Sequence, residues 1–459
     1  MRTERDSFGE LSVPDDAYYG AHTQRSLQNF QISSLKWQPE LIHAIVLIKK
    51  SCAQANQELG MLEYKKAEAI AKACDEILGG KFADQFPLDI FQAGSGTSTN
   101  MNVNEVIANR ATELLGGKKG ERLVHPNDDV NKGESTNNVI PSAIRVASAL
   151  ALEEAMRSLD RLKISLDTKS QEFKHVVKSA RTHLQDAVPI TLGQEFQAYA
   201  TAIGKHRTRM KECQKFLKQL GIGGNAVGTG LNTKPAFRAS IVGHLNKQIH
   251  GNFSVSPDGI ESTQFLTDIA VLSSALKNAA LDVNKIANDF RLMASGPQTG
   301  FNEITLPAVE PGSSIMPGKI NPSVCEAVNM ACYRVMGNDT TISLAAGAGQ
   351  LDLNTHMPIV SYCIIESLGI LSNASTTFAE KCIDGIKANE ERCRWYVEHS
   401  AALATALNPH LGYDTVAALV KESLASGKNI RELVIEKGLL NKSQLDAILA
   451  PEKLTRQNL

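Results

Sequence analysis

Long stretches of this chain carry apolar residues at three- and four-residue steps, the spacing that lays one stripe along an α-helix. Between Pro141 and Pro189 there is neither Gly nor Pro, and SAIRVASALALEEAMRSLDRLKISLDTKSQEFKHVV keeps that beat. Ile260–Ser295 is a second such stretch, with Phe265, Ile269, Leu272, Leu276, Leu281 and Ile286 in phase. As one helix it would reach about 50 Å. Ser323–Ala346 and a run within Pro358–Ile383 predict two more helices, and Leu192–Leu220 another, interrupted at Gly204. Nearer the N-terminus, Pro39–Leu59 and Tyr64–Leu78 also read as helical, and strand-like alternation is scarce. The pattern predicts a mainly α protein whose centre is a bundle of unusually long helices. Helices of that length carry more apolar stripe than one chain readily covers, so a closed symmetric assembly is expected.

Four polar segments interrupt the helical pattern. Gly94-Ser95-Gly96-Thr97 offers two hydroxyls on a flexible backbone, although such a run is more often a plain turn. Ser135-Thr136-Asn137 offers two hydroxyls and an amide, and reads equally well as a helix start. Thr182-His183-Leu184-Gln185-Asp186 brings one titratable imidazole just before Pro189, where a structural histidine is the commoner case. The fourth, PGSSIMPGKINP at Pro311–Pro322, packs three prolines, two glycines, paired serines and a lysine into twelve residues. It cannot be helix or strand interior. Asn321 and Pro322 read as the N-cap and first residue of the next helix, whose free N–H groups and dipole suit an anion beside Lys319. A phosphate-binding P-loop is excluded by spacing, since five residues separate Gly312 from Gly318 and Ile320 stands where Ser or Thr is needed. Gly221–Gly230 follows a helix rather than a strand and is not a dinucleotide loop. Together these segments suit holding a small carboxylate and moving protons.

At 459 residues the chain exceeds one ordinary core. A division into an N-terminal domain (1–135), a central long-helix domain (136–395) and a small C-terminal helical domain (396–459) is expected. A net charge of -1 with 21% charged residues predicts neither a nucleic-acid nor a membrane-surface partner. No apolar run approaches a bilayer's thickness, and MRTERDSFGE is no signal peptide. The eight cysteines form no C-x-x-C pair and the eleven histidines no H-E-x-x-H. Buried free thiols, a cytoplasmic location and no metal are the expectation.

With these residues in view the chain resembles the fumarase/aspartase superfamily. The loop GSSIMPGKINP (312–322) is similar to that family's signature. So are GSGTSTNMNVNEVIANR (94–110), VHPNDDVN (124–131), RTHLQDAVPITLGQE (181–195), AVGTGLNT (226–233) and KIANDFRLMASGP (285–297), all in family order. The resemblance implies a three-domain subunit whose central helices join those of three other copies in a homotetramer, with each active site shared between three chains. It also implies cofactor-free anti elimination, or its reverse, across the double bond of a small dicarboxylate. AHTQRS (21–26), Ser95, VHPNDDVN and Cys325-Glu326-Ala327 resemble the class II fumarate hydratases, which interconvert fumarate and L-malate. GQLDLN (349–354), IKANEER (386–392) and EKGLL (436–440) resemble the aspartate ammonia-lyases instead. A catalytically silent structural homologue is a third reading, and the survival of the chemical residues speaks against it.

By the same resemblance Ser313 is the catalytic base, His183 handles water on the opposite face, and Glu326 orients His183. Substrate contacts are carried over to Ser95, Gly96, Thr97, Ser135, Thr136, Asn137, Thr182, Ser314, Lys319, Ile320 and Asn321. A second anion site is implied at Arg122, His125, Pro126, Asn127 and Asp128, where a Pro-built polar turn is the plain alternative. Two departures adjoin the substrate segment: Gly133-Glu134 replaces the usual Ser-Gln, and Asn138 replaces the usual Asp.

Overall fold

A computed structural model describes residues 1–456, so the last three residues of the expected C-terminal domain lie outside the described residues. The chain divides into two compact units. The first joins Met1–Met156, Thr208–Ala280 and Tyr333–Ser372; the second joins Arg157–Arg207, Leu281–Cys332 and the chain from Asn373 onward. The three-part division by chain order cuts differently and stays a proposal.

Unit one opens with a hairpin, β1 (Arg2–Asp6) against β2 (Gly9–Val13), followed by α1 (Ala21–Asn29), α2 (Pro39–Glu58), α3 (Tyr64–Leu78) and α4 (Thr97–Leu114). The long α5 (Thr136–Glu172) then begins; at 37 residues it would span about 55 Å. It starts before Pro141, which sits in its second turn, and it ends at Glu172, so the helix begins earlier and stops sooner than the Gly/Pro-free run predicts. Short α7 (Phe237–Ile249) and α8 (Gly259–Gln264) belong to the same unit.

The expected single helix over 260–295 is broken. It ends with α8, and α9 (Thr267–Met293) starts after Phe265 adopts extended backbone. Arg145 accounts for the break. Its guanidinium takes the Ser262 and Phe265 carbonyls (3.3 and 3.1 Å) and pairs with Asp268 at 2.6 and 3.1 Å. A cation that satisfies the orphan carbonyls makes the interruption affordable. The reverse holds at Gly204, where α6 (Leu192–Leu217) runs through without a break. A Cβ there would lie 3.2 Å from Lys163 Cε, so the glycine serves close packing.

Of the remaining long helices, α10 (Ser323–Ala346) matches its predicted span, and α11 (Met357–Lys381) fills the last predicted run. The region Met357–Gly385 is long and apolar enough to cross a membrane, contrary to the sequence expectation. Its apolar window is 61% buried inside the protein, as a core helix requires.

Unit two contains what the periodicity missed. After α5 ends, β3 (Val177–Thr182) pairs antiparallel with β4 (Gln185–Thr191), with Thr182 opposite Gln185. Its core includes a cluster of rings in which Phe196 stacks on Phe290 at 5.2 Å, with Phe378 at 5.6 Å and Phe173 at 5.4 Å. Short helices after α12 (Glu390–His399) close a separate apolar cluster around Leu403, Leu407, Leu419, Leu433 and Val434. All eight cysteines are free and buried, as expected.

Phe290 is fully buried against three other rings, Phe196, Tyr199 and Phe378, so Phe290→Ala should cost about 3–5 kcal/mol of stability. A denaturant midpoint within error of the parent would refute that placement. A second prediction concerns Lys49 on α2, fully buried with Nζ donating to Asn131 Oδ1 at 2.5 Å. Burial pulls its pKa from 10.5 to about 8, against the opposing pull of Cys52, Glu134 and Cys74. The unfolded chain keeps this proton up to pH 10.5, so between 8 and 10.5 it binds more protons than the folded chain. This group's contribution to stability therefore rises with pH through that window, and its cost is complete below pH 8. Measured against Lys49→Met, the parent should gain roughly 2–3 kcal/mol between pH 7 and pH 10. Chemical denaturation at both pH values checks this; a pH-independent difference would count against it.

Candidate active site

The Pro311–Pro322 loop lies in unit two and is held shut from inside. The Gly312 N–H donates to the Lys319 carbonyl (3.1 Å), and Asn321 Nδ2 donates to the Gly312 carbonyl (2.6 Å). A Cβ on Gly312 would sit 2.3 Å from the Lys319 carbonyl oxygen, so only glycine permits this approach. Within the closed loop the Ser313 hydroxyl oxygen accepts two backbone N–H groups, from Ile315 at 3.2 Å and Met316 at 3.0 Å. Two donors aimed at one hydroxyl oxygen favour its alkoxide. Ser314, Lys319 and Ile320 are exposed. The next helix starts at Ser323, with the Pro322 carbonyl accepting from the Glu326 N–H. Asn321 therefore spends its side chain on the loop rather than capping α10.

His183 and Leu184 form the two-residue turn of the β3–β4 hairpin. Both have left-handed backbone (φ +57° and +58°), which a tight hairpin turn demands and which non-glycine residues adopt at a cost. The turn presents Thr182 and His183 to solvent. Among the described residues of one chain His183 and Glu326 share no hydrogen bond; Glu326 lies 3.9 Å from Arg291 instead.

The hairpin is anchored by residues that sequence reading did not single out. Lys178 and Arg181 of β3 meet the fully buried Glu303 at 2.9 and 2.7 Å, and Lys178 also meets Glu195 at 2.8 Å. Burial opposes the Lys178 ammonium, but these two carboxylates outweigh it and raise its pKa above the ordinary value. Phe301 and Tyr396 both stack on the Arg181 guanidinium. A cavity of about 290 Å³ opens beside the anchor, with Leu184, Tyr199 and Phe301 in its wall. A signal was present: a buried and a half-buried cation on one strand need carboxylates, but no sequence spacing names the partner.

Unit one carries the other segments. Ser95 and Thr97 hydroxyls lie 2.8 Å apart, and Gly96, with φ +83°, is the residue from which α4 starts. Gly94 touches the chain at Thr355 so closely that a Cβ would overlap its carbonyl oxygen at 1.8 Å. The carbonyl of Ser135 accepts from Asn138 and Val139 N–H groups, so this segment is a helix start, one of its two sequence readings. Thr136 Oγ1 accepts from Asn100 Nδ2 at 3.0 Å, which ties the segment to α4.

At the expected second anion site Arg122 has left-handed backbone and donates to the Arg5 carbonyl. His125 Nδ1 accepts the Asn127 and Asp128 N–H groups (3.2 and 3.1 Å) and so caps the turn that Pro126 opens. Asp128 Oδ2 is 3.4 Å from the same nitrogen, but a nitrogen accepting two N–H bonds carries no proton to offer it. These are the bonds of a capped turn; anion binding there stays a proposal.

One departure from the family pattern has a steric reason. Gly133 has φ +75°, and a Cβ on it would meet the Phe237 ring at 2.7 Å. The neighbouring pair, Glu134 and Asn138, is bonded to itself.

The protein family described as Lyase matches residues 9–337, and the one described as Fumarase C C-terminus matches 403–456. A fumarate hydratase class II of Chromobacterium violaceum is 45% identical over 456 residues, covering 99% of both chains. An aspartate ammonia-lyase of Pseudomonas fluorescens is also 45% identical, over 99% of this chain and 96% of its own length. The crystal structure of a fumarate lyase:delta crystallin from Brucella melitensis superposes with a TM-score of 0.96 at 44% identity, covering 99% of this chain and all of the other. Matched from its first helices to its last, with the mainly helical fold those matches share, this chain is a lyase of the fumarase/aspartase superfamily.

Proposed function

We propose that the protein is a fumarate hydratase, adding water to fumarate to give L-malate and running the reverse elimination, without a cofactor. The observation that carries this reading is the Ser313 oxygen held under two backbone N–H groups in an otherwise exposed loop. Elimination from malate begins with loss of a weakly acidic proton from the carbon beside a carboxylate. A serine hydroxyl is too weak a base unless its alkoxide is stabilised, and the Ile315 and Met316 amides together with Lys319 supply that stabilisation. The carbon's electron pair moves into the neighbouring carboxylate, giving a dianionic aci-carboxylate. Lys319, Asn321, Ser314, Thr97, Thr182, Ser135, Thr136 and Asn137 hold the substrate's carboxylates through both charge states. The pair then returns to form the double bond, and the hydroxyl leaves as water with a proton from His183. Glu326 orients His183 across a subunit boundary, since within one chain it faces Arg291.

The assembly we propose is a homotetramer with active sites shared between three chains. Large apolar side chains stand exposed on the long helices, including Val271 and Leu281 of α9 and Met330, Tyr333 and Leu344 of α10. Such surface calls for association. A cytoplasmic location, a functional second anion site at Arg122–Asp128 and a three-domain subunit belong to the same proposal. Aspartate ammonia-lyase is the second reading, favoured by relatives of that name at the same 45% identity and by GQLDLN, IKANEER and EKGLL.

Ser313→Ala should lower turnover by roughly 10²–10⁴-fold and leave the oligomer assembled, as read by steady-state kinetics beside light scattering. Near-parental turnover in that variant would remove Ser313 from the mechanism. The reaction itself is decided by incubating the protein with fumarate, with and without ammonium. Malate formed equally in both is the expected result, and aspartate formed only with ammonium would replace the hydratase by the ammonia-lyase.

A further inference from the structure

The two departures at positions 134 and 138 close around the segment between them. Asn138 Oδ1 accepts the Ser135 N–H at 2.8 Å, and Asn138 Nδ2 donates to the Glu134 carboxylate. The same carboxylate accepts the Cys52 thiol at 3.1 Å and the Gly223 N–H. Burial pushes the Cys52 thiol well above its usual pKa, so it keeps the proton it donates. Asn131 Nδ2 takes the Glu134 carbonyl at 3.0 Å, and the buried Lys49 ammonium is bonded to the other end of that amide. Glu134 and Asn138 are 6% and 1% exposed, so these bonds do not compete with water.

The Asn138 amide has one workable orientation. Flipped, its NH₂ would face the Ser135 N–H and its oxygen would face the Glu134 carboxylate. The pair thus fixes the amide, and the amide fixes the Ser135 backbone. Ser135 Oγ in turn accepts the Asn137 N–H at 3.2 Å, and Asn137 Nδ2 is held on the Ala226 carbonyl at 2.8 Å.

We infer that Glu134 and Asn138 form a carboxylate–amide clamp that positions Ser135, Thr136 and Asn137 for a dicarboxylate, making both of them positioning residues for substrate binding. The inference rests on the reading of that segment as a substrate contact. The clamp depends on one carboxylate facing one amide, and the direction of the bond is free to reverse. An amide at 134 and a carboxylate at 138 would close it equally well. Two carboxylates would close it only by taking up a proton, because two buried like charges cannot both stay ionised at bonding distance, and at neutral pH that uptake works against the clamp.

The test compares three full-length variants with the parent: Asn138→Asp, Glu134→Gln, and the two together. Kinetics on fumarate and on aspartate are measured beside the melting temperature. Asn138→Asp alone should raise KM roughly 10- to 100-fold. Glu134→Gln alone should change it only about threefold, since two amides can still pair. The double variant should return KM to within about threefold of the parent. A double variant as poor as Asn138→Asp overturns the clamp. Melting temperatures that fall and recover while KM stays constant also overturn it, because the pair would then be structural only. If the parent turns over neither substrate, the site reading has failed. The pairing of Glu134 with Asn138, without its positioning role, is then judged by whether the double variant recovers the melting temperature lost in Asn138→Asp.

Discussion

A long helix begins with four backbone N–H groups that no carbonyl inside it can reach. This protein is built from long helices, and their starts recur at the segments assigned to chemistry. Thr97 opens α4, Thr136 opens α5, and the Ser313 loop runs directly into α10. Each start must be satisfied from outside, by side chains, by a tight loop or by a bound anion. In the Ser313 loop, ahead of the α10 start, the N–H groups of Ile315 and Met316 point at a hydroxyl rather than at a carbonyl. At Thr97 and Thr136 the helical architecture and the polar segments therefore meet in one requirement.

That requirement explains what could be read without coordinates. The span of α10 follows from Ser323–Ala346 alone, because Pro322 and the apolar beat mark its start and course. The Gly/Pro content of the Ser313 loop marks it as non-helical for equally local reasons. Local rules fail where a distant residue pays the local cost. The helix break at Phe265 is invisible in its own sequence, since Arg145, 120 positions away, takes the freed carbonyls. The β3–β4 hairpin was missed because its inward positions carry Lys178 and Arg181, and the carboxylate that makes this tolerable is Glu303. Gly204 was read as an interruption because its packing partner, Lys163, lies on another helix.

Buried charge organises both units. In unit two Lys178 is surrounded by carboxylates, and the hairpin bearing His183 is fixed through them. Unit one uses a sparser arrangement. Lys49 has an amide as its bonded partner and Glu134 as a neighbouring charge, and burial depresses the lysine and raises the glutamate. Desolvation outweighs attraction there, so the network is held together by hydrogen-bond complementarity more than by ion pairing. Such a network tolerates exchange of acid and amide, provided that donors and acceptors still match.

This bears on how substitutions beside a binding segment should be weighed. Taken one at a time, Glu134 and Asn138 look like the loss of an amide and the loss of an acid next to the segment proposed to contact substrate. Bonded to each other they conserve both, with the charge moved by one partner's width. Gly133 is likewise matched to Phe237, which occupies the space a side chain would need. The Ser135-Thr136-Asn137 backbone has helix-start geometry beside Gly133, Glu134 and Asn138, and the test of each departure is the residue it touches.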